Sequence, residues 1–587
     1  MKRLLGYMKR YRKESMIAPL FKMLEASFEL FVPLVVASMI DVGIRGQDSA
    51  YILKMGALLA GLAVVGITCS LTAQYFAAKA AIGAGTALRN DLFAHINKLS
   101  YTEIDTVGTS TLITRMTGDI NTVQNGVNMV LRLFLRSPFV VFGAMVMAFT
   151  VDVKGALVFA CAIPLLSLVV FGILLISMPL YKKVQKQLDQ VTLSTRENLL
   201  GVRVIRAFNR QESESSRFKE ENSLLVKSQI FVGKIAALLN PVTYVIINLA
   251  IVVLIWTGAK QVDSGILSQG KVVALVNYMS QILVELIKLA NLIILISKAM
   301  ASMKRVDSVF EIQPGITEKA VQQPESSVNA KAVSSSEPKV EFSHVTFTYE
   351  GAKEPSLTDI SFAVMPGETI GIIGGTGSGK STLVNLIPRF YDAGEGTVRV
   401  DGQEIKERKL DELREKIGVV PQKAVLFKGS LRENIQWGKK DASDEEIWNA
   451  LKTAQAKEFI EEKGRGLDFA VSQGGRNLSG GQRQRLTIAR ALVRQPEILI
   501  MDDSASALDF ATDARLRRAI KEDTRNMTVF LVSQRAATVK HADRILVLDD
   551  GKLAGAGTHK ELFQSCEVYR EICLSQLSKE EVQKDEE

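Results

Sequence analysis

Between Gly155 and Tyr181 there is no charged side chain in 27 consecutive positions, and between Ile235 and Ala259 there is none in 25. A helix needs about 20 apolar residues to cross the hydrocarbon of a bilayer, so each run reads as a membrane span. Met55 to Ala78 is a third uncharged run. Met16 to Ile40, the region from Val127 to Thr150, and Val272 to Ser302 are interrupted by a few charges and complete a set of six. The expected helices cover residues 16–40, 52–80, 127–150, 155–181, 235–260 and 272–302.

These spans account for only part of the chain. At 587 residues it is too long for one core. A mean hydropathy of +0.14 together with 23% charged residues is the mixture expected of a membrane half joined to a polar half. The net charge of +9 could mark a nucleic-acid surface, but its distribution points to a membrane. Residues 1–13, "MKRLLGYMKRYRK", hold six basic residues and no acid just before the first span, as expected of a cytoplasmic N-terminus. No base-reading motif is present, so no nucleic-acid partner is expected, and no cleavable signal peptide is evident. Cys69, Cys161, Cys566 and Cys573 lack metal-ligand spacing and read as free thiols.

With both termini inside, the outer loops near Asp41 to Ala50, Val151 to Lys154 and Lys260 to Lys271 are short. The inner connections, Lys79 to Gly126 and Lys182 to Lys234, keep helical periodicity and dense charge, so the helices are expected to continue beyond the bilayer. Tyr101 to Asp119 and Glu197 to Gln211 contain candidate turning points, placed to touch a cytosolic domain. Residues 313–338, rich in Ser, Gln, Pro and Ala, read as a linker. Apolar strand-like runs then alternate with helical patterns over residues 339–577, an α/β pattern, and a charged tail follows at 578–587.

In "ETIGIIGGTGSGKST" a strand, Thr369 to Ile373, runs into Gly374, Gly375, Thr376, Gly377, Ser378, Gly379, Lys380, Ser381 and Thr382, then into an apolar helix. This is a P-loop: backbone N–H groups and a helix N-terminus surround phosphates, Lys380 reaches the β and γ oxygens, and Ser381 offers a hydroxyl to Mg²⁺. "LSGGQ", Leu478, Ser479, Gly480, Gly481 and Gln482, makes a second anion-binding turn 98 residues after Lys380.

The two motifs together resemble the ATP-binding cassette (ABC) proteins, and six spans followed by one cassette resembles a half-transporter of the exporter type. The resemblance implies a membrane all-α six-helix domain with long cytosolic helix extensions, followed by an α/β P-loop ATPase domain. It implies two cassettes dimerised head to tail, each signature capping ATP held by the other. Tyr349 is similar to the family's adenine-stacking aromatic. Gln422 resembles the glutamine that senses Mg²⁺, Asp502 the Walker B acid that holds it, and Ser506, Ala507, Leu508 and Asp509 the D-loop. The implied cofactors are ATP and Mg²⁺, with Ser381, Gln422 and Asp502 as the metal set.

Three positions depart from the family pattern. Asp503 stands where a catalytic glutamate is usual; its carboxylate lies about 1.5 Å nearer the backbone, and a misplacement of about 1 Å can cost about a hundredfold in rate. Gln534, in "VSQR", replaces a histidine and cannot become cationic. Gln473 stands where a glutamate is usual. An intact cradle and signature beside two losses at the hydrolytic centre resemble the degenerate-site subunit of bacterial heterodimeric multidrug exporters. The expectation is therefore an ATP-driven exporter of amphiphilic compounds, drugs or lipids, in the bacterial cytoplasmic membrane. Its expected partner is a homologous half-transporter. The rivals are a homodimeric slow exporter or lipid flippase, and a regulatory or channel-like ABC protein.

A few charges lie at membrane depth. Lys22, Glu25 and Glu29 share one helical face, which reads either as an acidic wall for cationic amphiphiles or as a helix end with a Lys22–Glu25 pair. Glu285 and Lys288 either pair with each other or line the pathway, and Arg132 and Arg136 admit both readings. Glu29 and Glu285 are the candidate substrate-cavity residues.

Overall fold

The computed structural model describes residues 2–316, 337–504, 507–523 and 526–576. Most of the expected linker, Ser506 of the D-loop and the charged tail lie outside the described residues. The chain divides into two compact units, Met1–Asn97 with Thr109–Ile312, and Lys98–Gly108 with Gln313–Glu587.

Among the described residues of the first unit, six helices are long and apolar enough to cross a membrane: Arg3–Ile44, Ser49–Ile96, Thr109–Val151, Val153–Leu200, Gln211–Asp263 and Gln269–Glu311. At 1.5 Å per residue the 48-residue helix Ser49–Ile96 is roughly 72 Å long, more than twice the bilayer core. It starts where Asp48 accepts the Tyr51 N–H at 3.0 Å. The fourth starts in the same way, with Asp152 accepting from Gly155 N at 2.6 Å. Small residues set the packing. Ala73, Ala77, Ala80 and Ala84 form a buried stripe on the second helix, and Ala26, Ala37, Ala144, Ala148 and Ala274 are buried elsewhere in the unit, so backbones approach closely. Large apolar residues such as Leu53, Val64, Leu168, Leu249 and Trp256 face outward, as lipid contact requires.

Two features refine the sequence reading. The third span is broken: Ile120–Leu133 and Arg136–Val151 are separate helices. Pro138, in the first turn of the second piece, has no N–H to give to Phe134, and the hydrogen-bond ladder restarts with Phe139 N to Leu135 O at 3.2 Å. The first helix, Arg12–Ser38, ends in a π-helical turn, Met39–Ile44. There Asp41 accepts Gly270 N at 2.7 Å and the Ser268 hydroxyl, capping the start of the sixth helix. Gly270 lies so close to the Ala37 carbonyl that a Cβ would collide with it.

The second unit is built on a six-stranded sheet in the order Lys552–Gly557, Arg544–Asp549, Thr369–Gly374, Thr528–Val532, Ile498–Asp502, Ile417–Val420. All neighbours are parallel except the first pair. The three central strands are almost wholly buried, which is why they read as continuous apolar runs. A four-stranded antiparallel sheet, begun by Val340–Phe347 paired with Leu357–Val364, stands beside it. The short helix Tyr101–Val107 belongs to this unit. Its Asp105 accepts the Tyr391 hydroxyl at 3.0 Å and its Tyr101 ring meets Phe390 at 4.7 Å. Burial and the Asp105 carboxylate both push the Tyr391 phenol well above its ordinary range. The other turning region forms the helix Val202–Ala207 in the first unit.

Candidate nucleotide site and membrane cavity

Parallel strands deliver their following loops to one edge of a sheet. Thr369–Gly374, Ile498–Asp502 and Thr528–Val532 therefore bring the P-loop, the Asp502-Asp503 pair and the Ser533-Gln534 turn together. They line a cavity of about 350 Å³ with Tyr349, Ser356, Thr376, Gly377, Gly379, Lys380, Ser381, Thr382 and Gln422. Gly377 and Gly379 sit at φ +86° and +92°, a conformation open to glycine at little cost. Gly374 and Gly375 contribute their carbonyls: Lys380 Nζ donates to them at 3.0 and 2.5 Å, and to the buried Ser378 hydroxyl at 3.3 Å. The ammonium is thus held by the loop it leaves when it turns to a phosphate. Burial lowers its pKa, with the charges of Asp503 and Asp502 opposing.

The Ser381 hydroxyl donates to Asp502 Oδ1 at 3.0 Å. Burial raises the Asp502 pKa, the Ser381 hydrogen bond opposes, and the Asp503 charge raises it further. A hydroxyl, a carboxylate and the Gln422 amide form an all-oxygen set of the kind a hard cation takes. The residues present therefore fit Mg²⁺, which when bound neutralises phosphate charge. Gln422 Nε2 lies 3.5 Å from Asp503 Oδ2, at the limit of a hydrogen bond. Asp503 has φ +44°, a left-handed conformation that Asp accepts more readily than most residues, and its N–H donates to Val532 O at 3.0 Å.

The Tyr349 hydroxyl is 3.0 Å from Thr382 Oγ1, and its ring stands edge-on to Phe347 and Tyr391 at 4.8 and 5.3 Å. Ser356 and Ser533 also line the cavity. Ser533 belongs to the "VSQR" segment, whereas no motif marks Ser356 in the sequence.

The signature is not part of this cavity. Ser479 caps the helix Gly480–Leu492, its hydroxyl accepting Gln482 N at 3.3 Å while Gln482 Oε1 accepts Ser479 N at 3.0 Å. Leu478 is buried. Gly480 and Gly481 lie against Ala507, so signature and D-loop are neighbours. Leu508 is buried, and Asp509 caps the next helix, accepting Thr512 N at 2.8 Å. Gln473 is exposed, in the turn Gln473–Gly475.

In the membrane unit a second cavity, of about 470 Å³, is lined by Val32, Pro33 and Val36 of the first helix, Val140 of the third, and Asn277, Gln281 and Lys288 of the sixth, with Glu29 and Glu285. Both acids are paired. Arg136 donates to Glu285 Oε1 and to Glu29 Oε2, each at 2.6 Å. Lys288 Nζ and the Ser137 hydroxyl also donate to Glu285, each at 2.8 Å. The reading of an acidic wall needs amending accordingly, because the wall carries as many cations as carboxylates. Lys22 and Glu25 pair at 2.5 Å, with Ser70 as a further partner of Lys22. Arg132 is not among the partners of Glu29 or Glu285.

The chain matches the ABC transporter transmembrane region over residues 15–286 and the ABC transporter domain over residues 357–506. It is 37% identical to the uncharacterized ABC transporter ATP-binding protein YfiB of Bacillus subtilis, over 99% of both chains. It is 34% identical to the ATP-dependent lipid A-core flippase of Desulfotalea psychrophila, over 81% of this chain and 82% of that one. Its fold is similar to that of a bacterial Atm1-family ABC exporter solved with ATP bound, with a TM-score of 0.78, 24% identity, and coverage of 97% and 99%. The chain belongs to the ABC transporter family, with an exporter-type transmembrane region and an ATP-binding domain fused in one polypeptide. It is a multi-pass membrane protein whose polar half is an ATPase of the transporter type.

Proposed function

We propose that the chain is one half of a heterodimeric exporter of amphiphilic compounds in the bacterial cytoplasmic membrane, both termini cytoplasmic. Its own site holds ATP with Mg²⁺ and hydrolyses it slowly, while its signature completes a competent site on a homologous partner. One observation carries this reading. The cavity that gathers Lys380, Ser381 and Asp502 presents Asp503 and Gln534 at its hydrolytic end, and the signature lies elsewhere in the same unit. A short carboxylate places a water poorly, and a glutamine lends no positive charge to a developing anion. Binding is thereby kept and turnover reduced. ATP-driven closure of two cassettes is relayed by the helices Tyr101–Val107 and Val202–Ala207, and hydrolysis at the partner's site resets the pair. The relative named as a lipid A-core flippase supports a lipid or lipid-like cargo.

The test is co-expression with a homologous half-transporter from the same genome, followed by ATPase assays. Replacing the partner's catalytic glutamate should nearly abolish turnover, whereas Asp503→Ala should change it modestly. Equal losses at the two positions, or full drug-stimulated turnover by this chain alone, would defeat the proposal.

A further inference from the structure

The four charges beside the membrane cavity alternate along a line: Lys288, Glu285, Arg136, Glu29. Each touches the next, at 2.8, 2.6 and 2.6 Å. The two inner members are buried, with side chains of Glu285 and Arg136 only 4% and 8% exposed. The two outer members reach the surface, Lys288 at 42% and Glu29 at 41%. Glu285 also lines the cavity, but its oxygens are taken by Arg136, Lys288 and Ser137, so the exposed charges that the cavity meets are one cation and one anion.

The remaining walls are equally unlike each other. Val32, Pro33, Val36 and Val140 form an apolar side. On the sixth helix Asn277, Gln281, Glu285 and Lys288 recur at spacings of four, four and three, so they form one stripe along its axis.

We propose that this cavity selects an amphiphile with a dipolar head group, its anionic part set against Lys288 and its cationic part against Glu29, with the alkyl chain on the valine wall. A purely cationic amphiphile is disfavoured because it brings no anion to set against Lys288; a purely anionic one is disfavoured because it brings no cation to set against Glu29. This specificity rests on the export reading given above and adds the class of cargo to it.

The experiment uses the complete two-chain complex in nanodiscs and three probes that share a dodecyl chain, with phosphoethanolamine, trimethylammonium or phosphate as head group. Equilibrium binding is measured without ATP. The phosphoethanolamine probe should bind at least about tenfold tighter than either other probe, because each of those sets an unmatched like charge beside Lys288 or Glu29. Lys288→Gln should remove the discrimination against the trimethylammonium probe, and Glu29→Gln the discrimination against the phosphate probe. Lys288→Arg should retain both. The neutral variants leave the buried Arg136–Glu285 pair in place, so folding is preserved. Tighter binding of the cationic probe, or ratios unmoved by both neutral variants, would overturn the proposal. Head-group selection without ATP-driven movement in vesicles would defeat the export reading and leave this one standing; transport without head-group selection would defeat this one alone.

Discussion

The nucleotide cavity and the membrane cavity both bury charge, and they treat it in opposite ways. In the first, Lys380 is held by backbone carbonyls and Asp502 by one hydroxyl; the charge is left to be matched by phosphate and a cation. In the second, Arg136 already sits between Glu29 and Glu285, with Lys288 and Ser137 completing the set. An open constellation is a binding site whose strength depends on its ligand. A closed one is mainly a joint between helices, and only its exposed ends can select.

The sharpest way to break that contrast is to remove the hub of the closed set. Arg136→Met leaves two carboxylates facing a buried position that their partner has vacated. Breaking a buried ion pair from one side costs about 3–5 kcal/mol, and the unfolding midpoint of the purified protein in SDS should fall accordingly. Adding Glu29→Gln and Glu285→Gln should recover much of the loss. A loss below about 1 kcal/mol, typical of an exposed pair, would show that the network is solvated and that the two cavities hold their charge in the same way.

The open constellation should respond in rate and not in stability. Restoring the usual residues, Asp503→Glu with Gln534→His, should raise ATP turnover at this chain's own site by about tenfold to a hundredfold, with the midpoint of unfolding nearly unchanged. The measurement is single-site turnover in a complex whose partner glutamate has been replaced. An unchanged rate would mean that neither position limits hydrolysis.

The same contrast explains what could be read in the sequence. The P-loop, Asp502, Asp503 and Gln534 are each announced by residues within a few positions of one another, because a strand end and its loop place them. The charge network is assembled from Glu29, Arg136 and Glu285, which lie 107 and 149 positions apart. Only its local pair, Glu285 with Lys288, could be anticipated from helical spacing, as could the separate pair of Lys22 with Glu25; Arg136 is ambiguous in sequence between pairing and pathway. Hydropathy could not register the break at Phe134–Leu135 either, since both residues are apolar and the cause is the missing N–H of Pro138 three positions on. The left-handed backbone at Asp503 carried no signal of its own.

A smaller effect tests a joint of the second kind inside the ATPase unit. Tyr391 packs on Tyr349 and Tyr101 and donates a hydrogen bond to Asp105. Tyr391→Phe keeps the ring and loses the hydrogen bond, so stability should drop by about 1 kcal/mol while ATP affinity holds. Loss of ATP affinity would instead assign the hydroxyl to the open site.

The smallest expected effect is a pH dependence. Asp401 is part-buried, which raises its pKa, but hydrogen bonds from Lys339 and Lys416 outweigh burial and hold it below the ordinary carboxylate range. A carboxyl whose folded pKa is depressed contributes stability that is fully present above its unfolded pKa and is lost as pH falls through the folded value. The wild type should therefore lose about 1 kcal/mol or less of this contribution as acid is added below the ordinary aspartate range. Asp401→Asn should be less stable at neutral pH and should have a flatter acid limb. Parallel acid limbs would mean that Lys339, which also pairs with Glu497, is held by that residue instead, so that Asp401 is a spectator in a cluster closed without it.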